Sequence, residues 1–344
     1  MRLLITTQAV DLNDPVLGFF HRWIEEIAHG CEHVHVICLK EGIHQLPANV
    51  TVHSLGKEVS RSRVKYILRF YRYMYTLRGD YDAVFVHMNA EYVVLGGIFW
   101  RQWGKRIVLW RNHKMAGLST RIAAHLAHVV CYTSPSAYVA RFGNAVQMPI
   151  GIDTDLFSPP PSDREPMQNS ILFFGRLDEV KHPDTFLEAI QSLSETNVAT
   201  QVDVIGDPTP GRETYARDLK GRFGRLKNVS FQDAVANSKA PDAYRSHAIY
   251  VNLTPSGSFD KTIGEAAASG CMVIAGNEVL RGIVPDALLV DPFSADSVAG
   301  GINVALKLLT DERAALSKKL RDYVVREHSL TLLVEKLTSV LHHS

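Results

Sequence analysis

Two series of short apolar runs, separated by a Pro- and Asp-rich stretch, constrain the fold more than any other feature of this chain. The first series is RLLITT (2–7), HVHVICL (33–39), DAVFVHM (82–88), RIVLWR (106–111) and HVVCYTS (128–134). Helical patterns such as FFHRWIEEIAH (19–29) lie between them, and this alternation predicts a parallel, doubly wound sheet. The second series is SILFFG (170–175), QVDVIG (201–206), VSFQ (229–232), AIYVNL (248–253) and CMVIAG (271–276). Between the two, PIGIDTDLFSPPPSDREPMQ (149–168) has the composition of a linker. From Asp311 the sequence is expected to be helical to its end. The reading is an α/β chain of two Rossmann-like doubly wound domains facing each other across a cleft. They are an N-terminal domain over 1–150, a linker over 151–168 and a C-terminal domain over 169–324, with a final helix at about 325–344 packing back onto the first domain.

At 344 residues, with 46% hydrophobic and 21% charged residues, the chain can build two sizeable cores. Its four cysteines have neither zinc spacing nor the density of a disulfide scaffold, and they read as reduced thiols of a cytoplasmic protein. The start MRLLITTQAV lacks a small-residue cleavage site, so no signal peptide is expected. The longest apolar run, YVVLGGIFW (92–100), is too short for a membrane span. Charge divides unevenly: residues 1–150 hold 17 Lys+Arg against 10 Asp+Glu, and residues 151–344 hold 20 against 26. A basic first half suits an anionic partner.

Doubly wound domains bind ligands at the carboxyl ends of their strands. In FFGRLDEVKHPDTF (173–186), Gly175 ends a strand and Pro183 suits the first turn of a helix. Arg176 and Lys181 flank the loop between them. Fixed cations there would stabilise a leaving nucleoside diphosphate, whose charge grows as the sugar bond breaks. They could equally pair with Asp178, Glu179 or Asp184. In NLTPSGSFDKTIGEAAASGCMVIAG (252–276), a strand runs into a loop through Ser256, Gly257 and Ser258. A helix carrying Glu265 follows and is closed by Gly270. Backbone amides at that helix start can bind an anion or hydroxyls, and a carboxylate one turn in can accept two hydrogen bonds from a ribose diol.

GRLDEVK, VDVIGD and the segment ending GEAAASGCMVIAG, preceded by PIGIDTDLF, resemble glycosyltransferase family 4 in order and spacing. The match covers about 149–330 well and the first 150 residues more loosely. The resemblance implies the GT-B architecture and retention of anomeric configuration. It also implies transfer from a nucleotide-diphosphate sugar, UDP- or GDP-linked, to a glycan or lipid-linked acceptor in cell-surface polysaccharide or glycolipid synthesis. By the same resemblance Arg176 and Lys181 hold the pyrophosphate and Glu265 the ribose, while the loop after Gly206 lies by the nucleobase. Gly18 in LNDPVLGF matches a first loop that approaches the diphosphate, and His113 in WRNHKMAG matches a histidine beside the donor sugar. Gly175, Ser258, Phe259, Asp260 and Lys261 complete the expected donor-binding set. The family carries two glutamates eight positions apart, and here the first falls on Gly257. Asp260 and Lys261 could supply substitute contacts; the competing reading is a degenerate binding or regulatory module. His87 is the weaker of the two histidines placed after a strand.

Asp80-Tyr81-Asp82 matches the metal-holding carboxylates of the other large glycosyltransferase fold, but turn chemistry explains it, and no metal is expected. The dinucleotide glycine fingerprint of a dehydrogenase is missing after the first strand; nucleotide-sugar epimerases share the fold. Residues 57–78, KEVSRSRVKYILRFYRYMYTLR, hold seven basic residues and one acid. At 100° per residue, Val64, Ile67, Leu68, Tyr71, Met74 and Tyr75 form the expected core stripe. Arg61, Lys65, Arg69 and Arg72 form a basic face, and Tyr66, Phe70, Tyr73 and Leu77 an aromatic one. The last two suit an anionic membrane surface, with peripheral attachment at the inner face of the cell membrane. The alternative is that the aromatic face packs on a neighbouring helix. No nucleic-acid module accompanies the charge.

Overall fold

A computed structural model describes residues 1–14, 16–161, 167–194, 200–257 and 259–342. The chain divides into two compact units, Met1–Gly151 with Leu330–Ser344 and Ile152–Ser329.

In the first unit the strands are β1 (Arg2–Val10), β2 (His33–Glu41), β3 (Val50–Ser54), β4 (Ala83–His87), β5 (Arg106–Trp110), β6 (Val129–Tyr132) and β7 (Ala145–Gln147). Four helices interleave with them: α1 (Gly18–His29), α2 (Arg63–Thr76), α3 (Ala90–Gln102) and α4 (Leu118–Leu126). The sheet is parallel, in the order β3-β2-β1-β4-β5-β6-β7. Alternation along each strand sends Leu3, Ile5, Val34 and Val36 to one face, and Leu4, Ile37, Val84 and Val86 to the other. α1 covers the first face through Phe20, Trp23, Ile24 and Ile27.

The aromatic side of α2, joined by Met74 and Tyr71 of the expected stripe, covers part of the second face, so the helix is rotated from the expected orientation. Phe70 and Met74 are buried, and Tyr66, Tyr73 and Leu77 pack against the same core. Val64, Leu68 and Tyr75, expected inside, are 66%, 65% and 58% exposed. Arg69 leaves the basic face, and its Nη1 donates to the Leu55 carbonyl at 2.9 Å. Aromatic rings cover a wide inter-strand surface better than Val and Leu do, and Trp100 and Tyr92 receive Phe70 at 6.1 and 5.2 Å.

In the second unit the strands are β8 (Met167–Phe174), β9 (Gln201–Ile205), β10 (Val229–Gln232), β11 (His247–Asn252) and β12 (Met272–Ala275). The helices are α5 (Pro183–Ser194), α6 (Glu213–Phe223), α7 (Ala240–Arg245), α8 (Lys261–Ala268), α9 (Ala295–Lys307) and α10 (Thr310–His328). The strand order is β10-β9-β8-β11-β12, again parallel. The strand order reverses between β8 and β11, the switch point at which such sheets bind ligands.

The C-terminal segment is not one continuous helix. Ser329 is extended, with ψ at 154°, and α11 (Leu330–His342) begins after it. α11 lies in the first unit and buries Leu333, Leu337 and Leu341 in the core beside α1. Among the described residues no helix is long and apolar enough to cross a membrane.

Candidate functional site

The second unit brings the charged and polar residues of two loops to its switch point. Gly175 ends β8 at φ +155° and Gly206 follows β9 at φ +154°. A Cβ at Gly206 would drive into the Gly175 carbonyl oxygen, so only glycine lets the two strand ends approach this closely. At Gly175 the space is open, which leaves its backbone accessible.

Arg176 is half exposed. Its Nη1 lies 3.4 Å from an Asp178 carboxylate oxygen and donates to Thr209 Oγ1 at 3.2 Å. Asp178 is buried and also accepts from the Thr209 amide at 3.1 Å, so it ties the β8 loop to the β9 loop. The pairing with Asp178 raised by the sequence is therefore present, with the guanidinium still open to solvent. Lys181 closes a single 3-10 turn, Glu179–Lys181, before α5. Its Nζ is ion-paired with Asp260 and donates to Thr254 Oγ1 at 3.0 Å. Glu179 pairs with Arg212 at 3.0 Å instead.

Asp260 is the N-cap of α8, its carboxylate accepting from the Thr262 amide. It also accepts from Asn252 at 2.9 Å and from Thr254 at 2.8 Å. Burial pushes its pKa up, but the Lys181 charge and these hydrogen bonds outweigh that and hold it below the usual carboxylate range. Lys181, Asn252 and Thr254 all meet one oxygen, Oδ2, while Oδ1 faces the Thr262 amide at 3.4 Å. Asp260 thus holds Lys181 in place and caps α8. Phe259 is buried against His328, with ring centroids 4.8 Å apart. Ser258 lies outside the described residues. Gly257 occupies a turn at φ +147°.

Glu265 is 3% exposed, one turn into α8. It accepts from Tyr244 Oη at 3.3 Å and from Asn237 at 3.5 Å, and burial raises its pKa. Glu265 is therefore not a solvated helix residue. Lys261 stands four residues earlier on the same helix face, half-buried, and burial lowers its pKa to about 8 against the pull of Glu265 and Asp153. A buried carboxylate beside a cation of reduced pKa is the kind of pair that functional sites hold.

Sequence reasoning passed over Asn252, Thr254, Thr262 and Tyr250. Asn252 Nδ2 donates to Tyr250 Oη, Thr262 Oγ1 and Asp260, knitting β11 to α8. Neutral residues carry no charge signal; only their clustering at a strand end could have marked them.

The first unit places its candidates at its own strand ends. Gly18 is the first residue of α1, and Asp14 accepts from the Val16 and Leu17 amides just before it at 2.9 and 2.8 Å. His113 is exposed on the loop after β5, with Nδ1 within 3.1 Å of the Met115 amide. His87 is a core residue, stacked on Phe20 with centroids 3.7 Å apart and Nδ1 3.2 Å from Thr7 Oγ1. Asp82 pairs with Arg2 at 2.7 Å at the amino ends of β1 and β4, away from the strand ends that bind ligands. Among the described residues no cluster of three or more His, Cys, Asp or Glu is placed to hold a metal.

Residues 168–308 match the family model described as glycosyl transferases group 1. The chain is 26% identical over 231 residues to a GDP-mannose-dependent alpha-(1-6)-phosphatidylinositol monomannoside mannosyltransferase of Mycobacterium tuberculosis, covering 60% of this chain and 58% of that protein. It is 31% identical over 144 residues to a D-inositol 3-phosphate glycosyltransferase of Xylanimonas cellulosilytica, covering 37% of this chain and 34% of that one. The chain thus spans little more than half, or less, of the curated relatives it matches. Its fold is that of Anabaena HepE, solved with UDP and glucose, at a TM-score of 0.78, 17% identity and full coverage of both chains. Sucrose-phosphate synthase from Thermosynechococcus elongatus follows at 0.77 and 17%, with 98% of each chain covered. Residues 168–308 thus resemble the group 1 glycosyl transferases, in a chain that has the fold of the GT-B glycosyltransferases.

Proposed function

We propose that this protein is a retaining family 4 glycosyltransferase. It moves a sugar from a UDP- or GDP-linked donor to a glycan or lipid-linked acceptor in cell-surface polysaccharide or glycolipid synthesis, without a metal. One observation carries the reading. Two loop cations, Arg176 and Lys181, and the buried Glu265 come from the strand ends that flank the switch point of a domain resembling the group 1 glycosyl transferases. Arg176 and Lys181 would take the diphosphate, and their charge counts most as the sugar–phosphate bond breaks. Glu265 would accept from the ribose diol, and Lys261 would add a further cation beside it. Gly175 and Gly206 would bring backbone close to the nucleotide. The family resemblance alone adds Gly18 and His113 as candidates for contacts to the diphosphate and donor sugar. The relatives support a nucleotide-sugar donor, since one is named for GDP-mannose and HepE was solved with UDP. Peripheral attachment to an anionic membrane surface through 57–78 belongs to the same reading.

A second reading, a binding module without turnover, is favoured by Gly257 and by the acid already paired with Lys181. Incubation with a panel of nucleotide sugars tests both. Release of free nucleoside diphosphate is expected. Epimerised donor would identify an epimerase, and binding without any product would identify the degenerate module.

A further inference from the structure

The second unit holds a cavity of about 470 Å³ at the amino ends of its strands. Gln168 and His247 lie at the starts of β8 and β11, Gly270 just precedes β12, and all three line it. The loops of Arg176, Lys181 and Asp260 follow the carboxyl ends of the same strands, so the cavity is a separate place. Its volume is that of a small-ligand pocket. Three successive prolines, Pro159, Pro160 and Pro161, give it a stiff apolar side, which Ala248 and Ala314 extend.

The charge of the lining has one sign. Arg245, Arg313, Lys318 and Arg321 line the cavity, and no carboxylate among the described residues does. Lys318 is exposed and paired with Asp322. Arg245 Nη1 stands 3.8 Å from Asp242, whose side chain is turned to water, while its Nε and Nη2 donate to the Ser158 and Leu156 carbonyls at 2.7 and 2.8 Å. Arg313 and Arg321, both half-buried, form no ion pair among the described residues. Arg313 Nη2 donates to the Ala305 carbonyl at 3.2 Å, and Arg321 Nη1 to the Phe157 carbonyl at 3.1 Å. Neutral carbonyls fix where these guanidiniums sit but leave their charge uncompensated, whereas charges taken out of water are ordinarily paired. Burial lowers the pKa of Arg321 even with Asp322 and Asp155 in reach. Arg313 Nε and Ser269 Oγ, on the same lining, are buried without a hydrogen-bond partner among the described residues. Such atoms are commonly completed by a water or an ion.

We infer that this cavity binds a small organic anion, a phosphate monoester carried on an apolar group. Four cations suit a dianion better than a single carboxylate. Nη1 of Arg245 and of Arg313 has no hydrogen-bond acceptor among the described residues, and these two groups take phosphate oxygens while Lys318 adds charge. The prolines and Ala314 take the apolar group. The site stands whether or not the chain transfers sugar.

Calorimetric titration of the full chain with phenyl phosphate tests it, with inorganic phosphate and phenol as the two halves of the probe. Phenyl phosphate should bind with a Kd below about a millimolar, and each half about tenfold or more weaker. Arg313→Gln should weaken phenyl phosphate about tenfold, the scale of one charge-assisted hydrogen bond. Ala314→Phe keeps every charge, fills the cavity from an exposed position on α10, and should remove binding while melting like the parent. Arg176→Ala should bind phenyl phosphate like the parent. No binding to the parent overturns the inference, and so does undiminished binding in Ala314→Phe. Inorganic phosphate that binds as tightly as phenyl phosphate removes the organic ligand and overturns it too. Weaker binding in Arg176→Ala would place the probe at the carboxyl ends of the strands and overturn it as well.

Discussion

Replacing Lys181 with Met should damage the protein in two separable ways. The Lys181 and Asp260 side chains are 16% and 11% exposed, so their ion pair is largely out of water. Removing one partner of such a pair leaves an uncompensated buried charge, at a cost of about 3–5 kcal/mol. Asn252, Thr254 and the Thr262 amide still donate to Asp260, so the lower end, about 3 kcal/mol, is expected here. For a unit of this size that corresponds to roughly 6–12 °C in the melting temperature. Lys181→Met/Asp260→Asn removes the stranded charge and keeps a hydrogen-bonding amide, so it should recover all but about 1 kcal/mol. Turnover should not recover: the single and double variants should both lose about a hundredfold, the scale of one preorganised charge-stabilising group. Thermal melts of the two variants, followed beside nucleoside diphosphate release, separate the effects. A single variant that melts like the parent would refute the buried pair. A double variant with restored turnover would refute the diphosphate role of Lys181.

Glu265→Gln keeps shape and the Tyr244 contact but removes the charge that strengthens bonds to a ribose diol, a loss of about 1–2 kcal/mol. Calorimetric titration with the matching nucleoside diphosphate should show a five- to thirtyfold weaker Kd, on the order expected from that loss, and an unchanged Kd removes the assignment. Lys261 titrates near 8, and a diphosphate favours its charged form. Nucleotide affinity should therefore fall as pH rises above about 8, with proton uptake on binding in that same range and none below it. Lys261→Arg should abolish the step, and a step that persists in that variant belongs to another group. Gly206→Ala forces a methyl group into the Gly175 carbonyl and should cost about 3 kcal/mol in stability; a chain that melts like the parent would show that the strand ends can part. Chelation by EDTA should leave turnover unchanged, whereas loss restored by magnesium or manganese would return Asp80 and Asp82 as ligands despite the Asp82–Arg2 pair.

Ten of the twelve strands among the described residues were legible from apolar runs bounded by turn residues, most of them because a strand buried on both faces must be apolar almost throughout. The two that were missed, β3 (VTVHS) and β7 (AVQ), lie at the sheet edges, where burial no longer dictates composition. The loops that carry Arg176, Lys181 and Glu265 were also readable, since strand–loop–helix joints are local and glycine, proline and charge mark them. Partnership was not local. Nothing in the order of residues says that Lys181 meets Asp260 seventy-nine positions later, that Phe259 turns into the core, or that Glu265 is buried. Those outcomes depend on β8 and β11 becoming neighbours across a switch point. The orientation of α2 shows the same limit. Periodicity established that the helix has an apolar, a basic and an aromatic face, but each could cover a sheet. Only the shape of the surface presented by β1, β2 and α3 decided that the aromatic face goes in and Val64 and Leu68 stay out.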